Sequence, residues 1–241
     1  TYEDNEALPA ETLEDLYFKM DKAFFDPQGD WDDPANIKSD YWANWCRVYI
    51  KGQIGNLEGV VLQNWKQIDN LPPDARYTAS GMDFGYSLDP STLIDRYEWN
   101  GKRIYDLVLY EKGLGNSDLA KRCKQNLPQG SSKRLVYADS AEPKSIAEIK
   151  KYGVNIQPTE KGADSIDFGI QLLQEGDFYV TARSLYMIKE LRKYLWAKDK
   201  SGKKTGKPID AWNHTIDPMR YIEMKLKLKP QEEDWGSSSV L

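Results

Sequence analysis

The chain has 241 residues, 40% hydrophobic and 12% aromatic, enough for one full-sized core with a modest second element beside it. No apolar run approaches the roughly 20 residues needed to cross a bilayer, and the acidic opening TYEDNEALPAETLEDLY lacks the basic start and apolar middle of a secretory leader, so a soluble globular chain is expected. A net charge of -5 argues against a polyanionic partner only until it is divided: residues 1 to 80 hold 7 Lys/Arg against 15 Asp/Glu, the rest 26 against 23.

Apolar residues at Leu13, Leu16, Tyr17, Met20 and Phe24 repeat at helical spacing and predict a helix over Glu11 to Phe25, stopped by Asp26-Pro27. A second helix is predicted over Ser39 to Ile50, and the aromatic cluster Tyr41, Trp42, Trp45, Tyr49 and Trp65 requires a surface to bury against. Leu71-Pro72-Pro73-Asp74 reads as a linker. Beyond it come strands over Thr78 to Tyr86, Ser91 to Trp99 and Arg103 to Tyr110, the last two joined by Asn100-Gly101, a type I′ hairpin signal, so three antiparallel strands are expected. A helix over Ser117 to Asn126, a strand Arg134 to Ala138, a helix Lys144 to Tyr152 and a strand Val154 to Gln157 follow. Such alternation implies that the later strands join the sheet in parallel. Next are a helix Ser165 to Gln174, a strand Phe178 to Thr181, a helix Ser184 to Trp196, and a basic hairpin or loop, Lys198 to Lys207.

Three acidic residues stand where a metal ligand is useful: Asp83 in MDFGYSLDPST, Asp139 in VYADSAEPKS and Asp217 in DAWNHTIDPMRY. Any one of them alone reads as a turn or cap residue, and Asp89, beside Pro90, is assigned to an Asx-type turn. His214, the only histidine, precedes Asp217 by three residues and would share its helix face. Pro218 disfavours helical geometry at Asp217, so the helix either kinks there or begins near Asp217, with Asp210 capping an earlier turn. Cys46 and Cys123 are far apart and have no Cys or His at zinc spacing, which points away from a disulfide framework or zinc site and towards a reducing cytosol. GKKTGKP has one residue too few between its glycines for a phosphate loop and ends in Pro208, and DFG at Asp83 has no HRD-type partner. The chain opens on Thr1 and a polar segment, and is expected to be a fragment or processed product.

The order of elements resembles the ribonuclease H-like fold, an α/β mixed sheet of three antiparallel strands then parallel strands, flanked by helices. That fold carries one carboxylate on its first strand, one at the end of its fourth and one on a late helix, places that Asp83, Asp139 and Asp217 occupy. Phosphodiester cleavage needs an activated water and a stabilised leaving oxyanion, which two divalent ions roughly 3.5 to 4 Å apart supply together. Hard oxygen ligands suit Mg²⁺ or Mn²⁺, and close carboxylates repel one another unless they bind an ion or a proton.

More closely, DFGYSLDPS, ADSAEPKSI, PTEKGADSI and WAKDKSGKKTGKPIDAWNHTIDPMRY, with TYEDN and VYIKGQIG upstream, resemble the C-terminal nuclease domain of the large terminase subunit of tailed bacteriophages, the motor that packages viral DNA and cuts it to length. By position, the resemblance makes Asp83, Asp139 and Asp217 the metal ligands, and His214 matches a histidine near the metals in some members. It implies an endonuclease using two Mg²⁺ or Mn²⁺ ions to cut concatemeric viral double-stranded DNA. Its partners would be the ATPase domain, the portal protein and the small terminase subunit, in the cytoplasm of the infected bacterial host and with no membrane. The implied division is an ATPase remnant and linker over 1–75, the nuclease domain over 76–229 and an acidic, Ser-rich tail over 230–241. Lys144 and Lys161 follow proposed active-site segments, and Lys198, Lys200, Lys203, Lys204 and Lys207 form a basic arm, so these lysines are candidates for phosphate contact. Alternatives are another ribonuclease H-like enzyme, such as a junction resolvase or transposase, and a non-catalytic DNA or portal docking module.

Overall fold

The computed structural model describes residues 9–51, 59–159, 162, 164–199 and 203–228. Its contacts divide the chain into two units, Thr1–Val60 and Val61–Leu241. The first holds helices α1 (Ala10–Ala23) and α2 (Asp40–Tyr49), the latter capped by the Ser39 hydroxyl accepting from the Trp42 amide. Met20, Phe24, Trp31, Ala43, Cys46 and Ile50 form their shared core, with Phe24 stacked on Trp31 and Trp42 and Trp45 packed against it. The side chains of Tyr41 and Tyr49, like the segments TYEDN, GQIG and 230–241, lie outside the described set.

The second unit is a sheet of seven strands in the order β1-β7-β4-β3-β2-β5-β6. Its strands are β1 (Trp65–Ile68), β2 (Arg76–Asp83), β3 (Ser91–Trp99), β4 (Lys102–Glu111), β5 (Leu135–Asp139), β6 (Asn155–Thr159) and β7 (Phe178–Thr181). β2, β3 and β4 pair antiparallel, while β5, β6, β7 and β1 join in parallel. The β3–β4 turn has positive φ at both Asn100 and Gly101, as a type I′ turn requires. β1 lies upstream of the expected boundary, within the stretch 1–75 expected to be ATPase remnant and linker. Val61 and Leu62 are buried in this unit's core, and Asn64 donates to the carbonyls of Leu173 and Gly176, so the sheet recruits this segment.

Alternation along the strands builds two layers. Leu93, Met82, Val136 and Ala138 face α3 (Asn116–Gln125) and α4 (Pro143–Lys151). Ile94, Tyr105, Phe178 and Val180 face α5 (Ser165–Gln174), α6 (Leu185–Lys193) and α7 (Ile216–Leu228). α6 stops at Lys193, short of the predicted end at Trp196, because Trp196 enters β8 (Trp196–Lys198), which pairs with β9 (Lys204–Pro208). The basic arm is therefore a hairpin. α7 is pinned at mid-length by Glu223, which accepts from Arg96 Nε and the Tyr105 hydroxyl, both at 2.6 Å.

Candidate active site

Asp83 ends β2 and Asp139 ends β5, and the two strands run side by side in parallel. Met82 and Ala138 point into the α3/α4 core, so period-two alternation turns the next residue of each strand towards α7. Beyond β2 the chain turns back, and the Ser91 hydroxyl bonds both the amide and the carbonyl of Gly85.

The third acid arrives on α7, which begins at Ile216 with Asp217 as its second residue. Pro218 thus lies in the first turn, where amides have no intrahelical partner, and needs no kink. Close approach of this turn to the sheet depends on Gly81: a Cβ there would stand 2.2 Å from the Pro218 carbonyl oxygen.

Tyr221 lies one turn beyond Asp217 on α7. Its hydroxyl donates to Asp139 Oδ2 at 3.4 Å. Burial, then the charges of Asp217, Asp83 and Asp139, drive its ionisation far upwards. Asp217 Oδ1 accepts from Arg220 Nε and Nη2 at 3.1 and 2.7 Å, and Arg220, itself buried, also donates to the Ser165 carbonyl. Asp139 Oδ1 accepts from the Ala141 amide at 2.8 Å.

The setting of Asp83 disfavours its charged form. Burial is the main reason its pKa is raised to about 6; the His214 hydrogen bond opposes this, and the charges of Asp217 and Asp139 add to it. His214 Nδ1 lies 3.5 Å from Asp83 Oδ2, and its Nε2 lies 3.4 Å from Asp89 Oδ1. Its pKa is raised chiefly by the Asp83 hydrogen bond, against burial, with Glu190 and Asp89 assisting. The segment carrying it is fixed from two sides. Thr92 Oγ1 donates to the His214 carbonyl at 2.7 Å, and buried Glu190 accepts from the amide and hydroxyl of Thr215 at 2.7 and 2.6 Å and from the Tyr110 hydroxyl at 3.0 Å.

Among the described residues no three His, Cys, Asp or Glu side chains converge as a ready-made metal ligand set. Each acid is instead bonded to protein donors. A hard divalent cation nonetheless fits the chemistry: the donors are carboxylate oxygens, and Asp83 is a half-buried acid whose pKa the charges of two further acids raise.

Asp83, Asp139, Asp217 and His214 are thus brought to one end of the sheet. Asp89, assigned to a turn, reaches the same histidine, while Arg220 and Tyr221 were not anticipated. Their signal was present: they follow Asp217 by three and four residues, the spacing that shares a helix face. Of the candidate lysines, Lys144 is exposed in the first turn of α4, and Lys203 and Lys204 are exposed at the start of β9. Lys161 and Lys200 lie outside the described residues.

Residues 83–223 match the family described as a terminase RNAseH-like domain. The chain is similar to the terminase large subunit of Bacillus phage SPP1, 33% identical over 165 residues, which are 65% of this chain and 38% of that relative. It therefore spans well under half the length of that protein. Among solved structures it is similar to the SPP1 large terminase nuclease domain with bound Mn, at 27% identity and a TM-score of 0.56, covering 66% of this chain and 95% of that one. The large terminase of the thermophilic bacteriophage D6E, at 18% identity and a TM-score of 0.56 over 95% of this chain and 55% of that one, shares the fold.

Proposed function

The chain belongs to the family of terminase RNase H-like domains, as the C-terminal nuclease domain of a large terminase subunit, and from that premise we propose that it is a metal-dependent endonuclease cutting concatemeric viral double-stranded DNA during packaging. The observation that carries this reading is that Asp83 and Asp139 end adjacent parallel strands, against which the first turn of α7, carrying Asp217, packs at Gly81.

Asp83, Asp139 and Asp217 are the residues that would hold two divalent ions, Mg²⁺ or Mn²⁺. Bound there, the ions supply an activated water and neutralise charge developing on the leaving oxygen. Arg220 orients Asp217 through two hydrogen bonds to one oxygen, and Tyr221 orients Asp139. His214, favoured in its protonated form by Asp83, holds a proton at Nδ1 towards that carboxylate and keeps Nε2 against Asp89. Exposed Lys144, Lys203 and Lys204, with Lys161 and Lys200, attract the phosphate backbone without reading sequence. The choice of cut site then falls to the ATPase domain, the portal and the small terminase subunit, in the cytoplasm of the infected bacterium. Among the described residues no helix is long and apolar enough to cross a membrane.

A plasmid assay tests this reading. With Mn²⁺ the native chain is expected to linearise supercoiled DNA, and Asp83→Asn or Asp139→Asn to slow cleavage by more than the roughly 10–100-fold that loss of a supporting residue costs at a metal centre. Folded variants with undiminished activity would refute the site. A native chain inert with both Mg²⁺ and Mn²⁺ would favour a docking module.

A further inference from the structure

The outer surface of α6 has a feature that neither the core nor the acidic centre uses. Tyr186, Lys189 and Lys193 follow one another at helical spacing and are all exposed. The Tyr186 ring, 53% exposed, stacks on Tyr110 with centroids 4.2 Å apart and planes 4° from parallel. Tyr110 is itself locked by its hydroxyl to Glu190, so the pair forms a rigid platform. One turn along, the ammonium groups of Lys189 and Lys193 lie 5.3 and 4.3 Å from the ring centroid of Trp212, whose φ of 60° is rare outside glycine. The stripe adjoins the acidic centre: Glu190, which holds the Tyr110 hydroxyl, also holds Thr215, the residue after His214.

Aromatic faces alternating with ordered cations are what a single nucleic-acid strand requires, since every base offers a π-face and every linkage a phosphate. Paired bases do not expose that face. We infer that this stripe of α6 seats an unpaired DNA strand leading from the acidic centre, with a base stacked on Tyr186 and phosphates on Lys189 and Lys193. The inference rests on the nuclease reading for its choice of DNA, and it adds a preference for frayed or tailed ends.

Fluorescence anisotropy of the full chain in EDTA, where no cleavage proceeds, tests it with a blunt duplex and the same duplex carrying an unpaired tail. The tailed DNA is expected to bind about tenfold more tightly. Tyr186→Ala should abolish that difference and Tyr186→Phe, which keeps the ring, should preserve it. Lys189→Ala and Lys193→Ala should weaken both DNAs and each lower the slope of log affinity against log salt by about 1. Equal affinity of the native chain for both DNAs, or a preference that survives Tyr186→Ala, overturns the inference. Tail preference in EDTA without cleavage in Mn²⁺ would sink the nuclease reading and leave the strand seat standing; cleavage without tail preference does the reverse.

Discussion

Asp83 carries its charge at a cost to the fold. Its pKa, raised from 3.8 to about 6 chiefly by burial, means that the folded chain binds this proton more tightly than the unfolded chain. The residue's contribution to stability is therefore greatest below about pH 4 and is lost as pH rises through about 6. A shift of this size corresponds to about 3 kcal/mol of strain at neutral pH. In EDTA at pH 7.5, Asp83→Asn should accordingly melt at a higher temperature than the native chain, with the gap closing as pH falls towards 4. Adding Mn²⁺ should raise the native midpoint more than that of the variant. Melting curves across pH check this, and a variant less stable than the native chain at pH 7.5 contradicts it. Asp83 and Asp139 were legible as candidates because each closes an apolar strand. The approach of Asp89 to His214 was not, since its side chain arrives there through a loop whose path local turn chemistry does not reveal.

At the scale of elements, α7 joins the site because β2 lets it descend. The Cβ of an alanine at Gly81 would meet backbone of Pro218 at 2.2 and 2.7 Å, and backbone on both sides cannot step aside. At Gly169 of α5, by contrast, the nearest atoms belong to the Arg220 side chain, at 2.9 to 3.1 Å. Gly81→Ala should lower the unfolding free energy by about 3 kcal/mol, the upper part of the usual overpacking range, and reduce cleavage by lifting Asp217 away from Asp83. Gly169→Ala should cost clearly less stability. Urea titrations of both variants, read beside the plasmid assay, decide the comparison; equal effects would mean that α7 is not seated on Gly81. Most helices and strands were readable from periodicity and turn residues, including the Asn100-Gly101 hairpin. Pro218 had left two readings of α7, and the early start at Ile216 resolves them because first-turn amides need no partner.

Over the whole molecule, the part that matters for the site extends upstream of the Pro-Pro segment. β1 pairs with β7, the Val61 amide donates to the Tyr194 carbonyl at 2.9 Å, and Gln174 Nε2 donates to the Val61 carbonyl at 2.7 Å. A chain beginning at Val61 is expected to keep a cooperative unfolding transition. One beginning at Arg76 loses buried Val61 and Leu62 and should be less stable by about 3 kcal/mol or more. Calorimetry of the two chains checks this, and indistinguishable midpoints would show β1 to be dispensable. β1 escaped the sequence reading because WKQI is short and exposes its two middle residues, so nothing local marks it as a strand. The sequence by itself determined the family and the order of helices and strands from β2 to β7, because periodicity, turn residues and motifs are local properties of the chain. Only the tertiary structure decided that Tyr221 reaches Asp139, that Arg220 bonds both Asp217 and the Ser165 carbonyl of α5, and that β1 joins the sheet. Contacts such as Tyr221 to Asp139 join residues 82 positions apart, and packing, not pattern, brings them together.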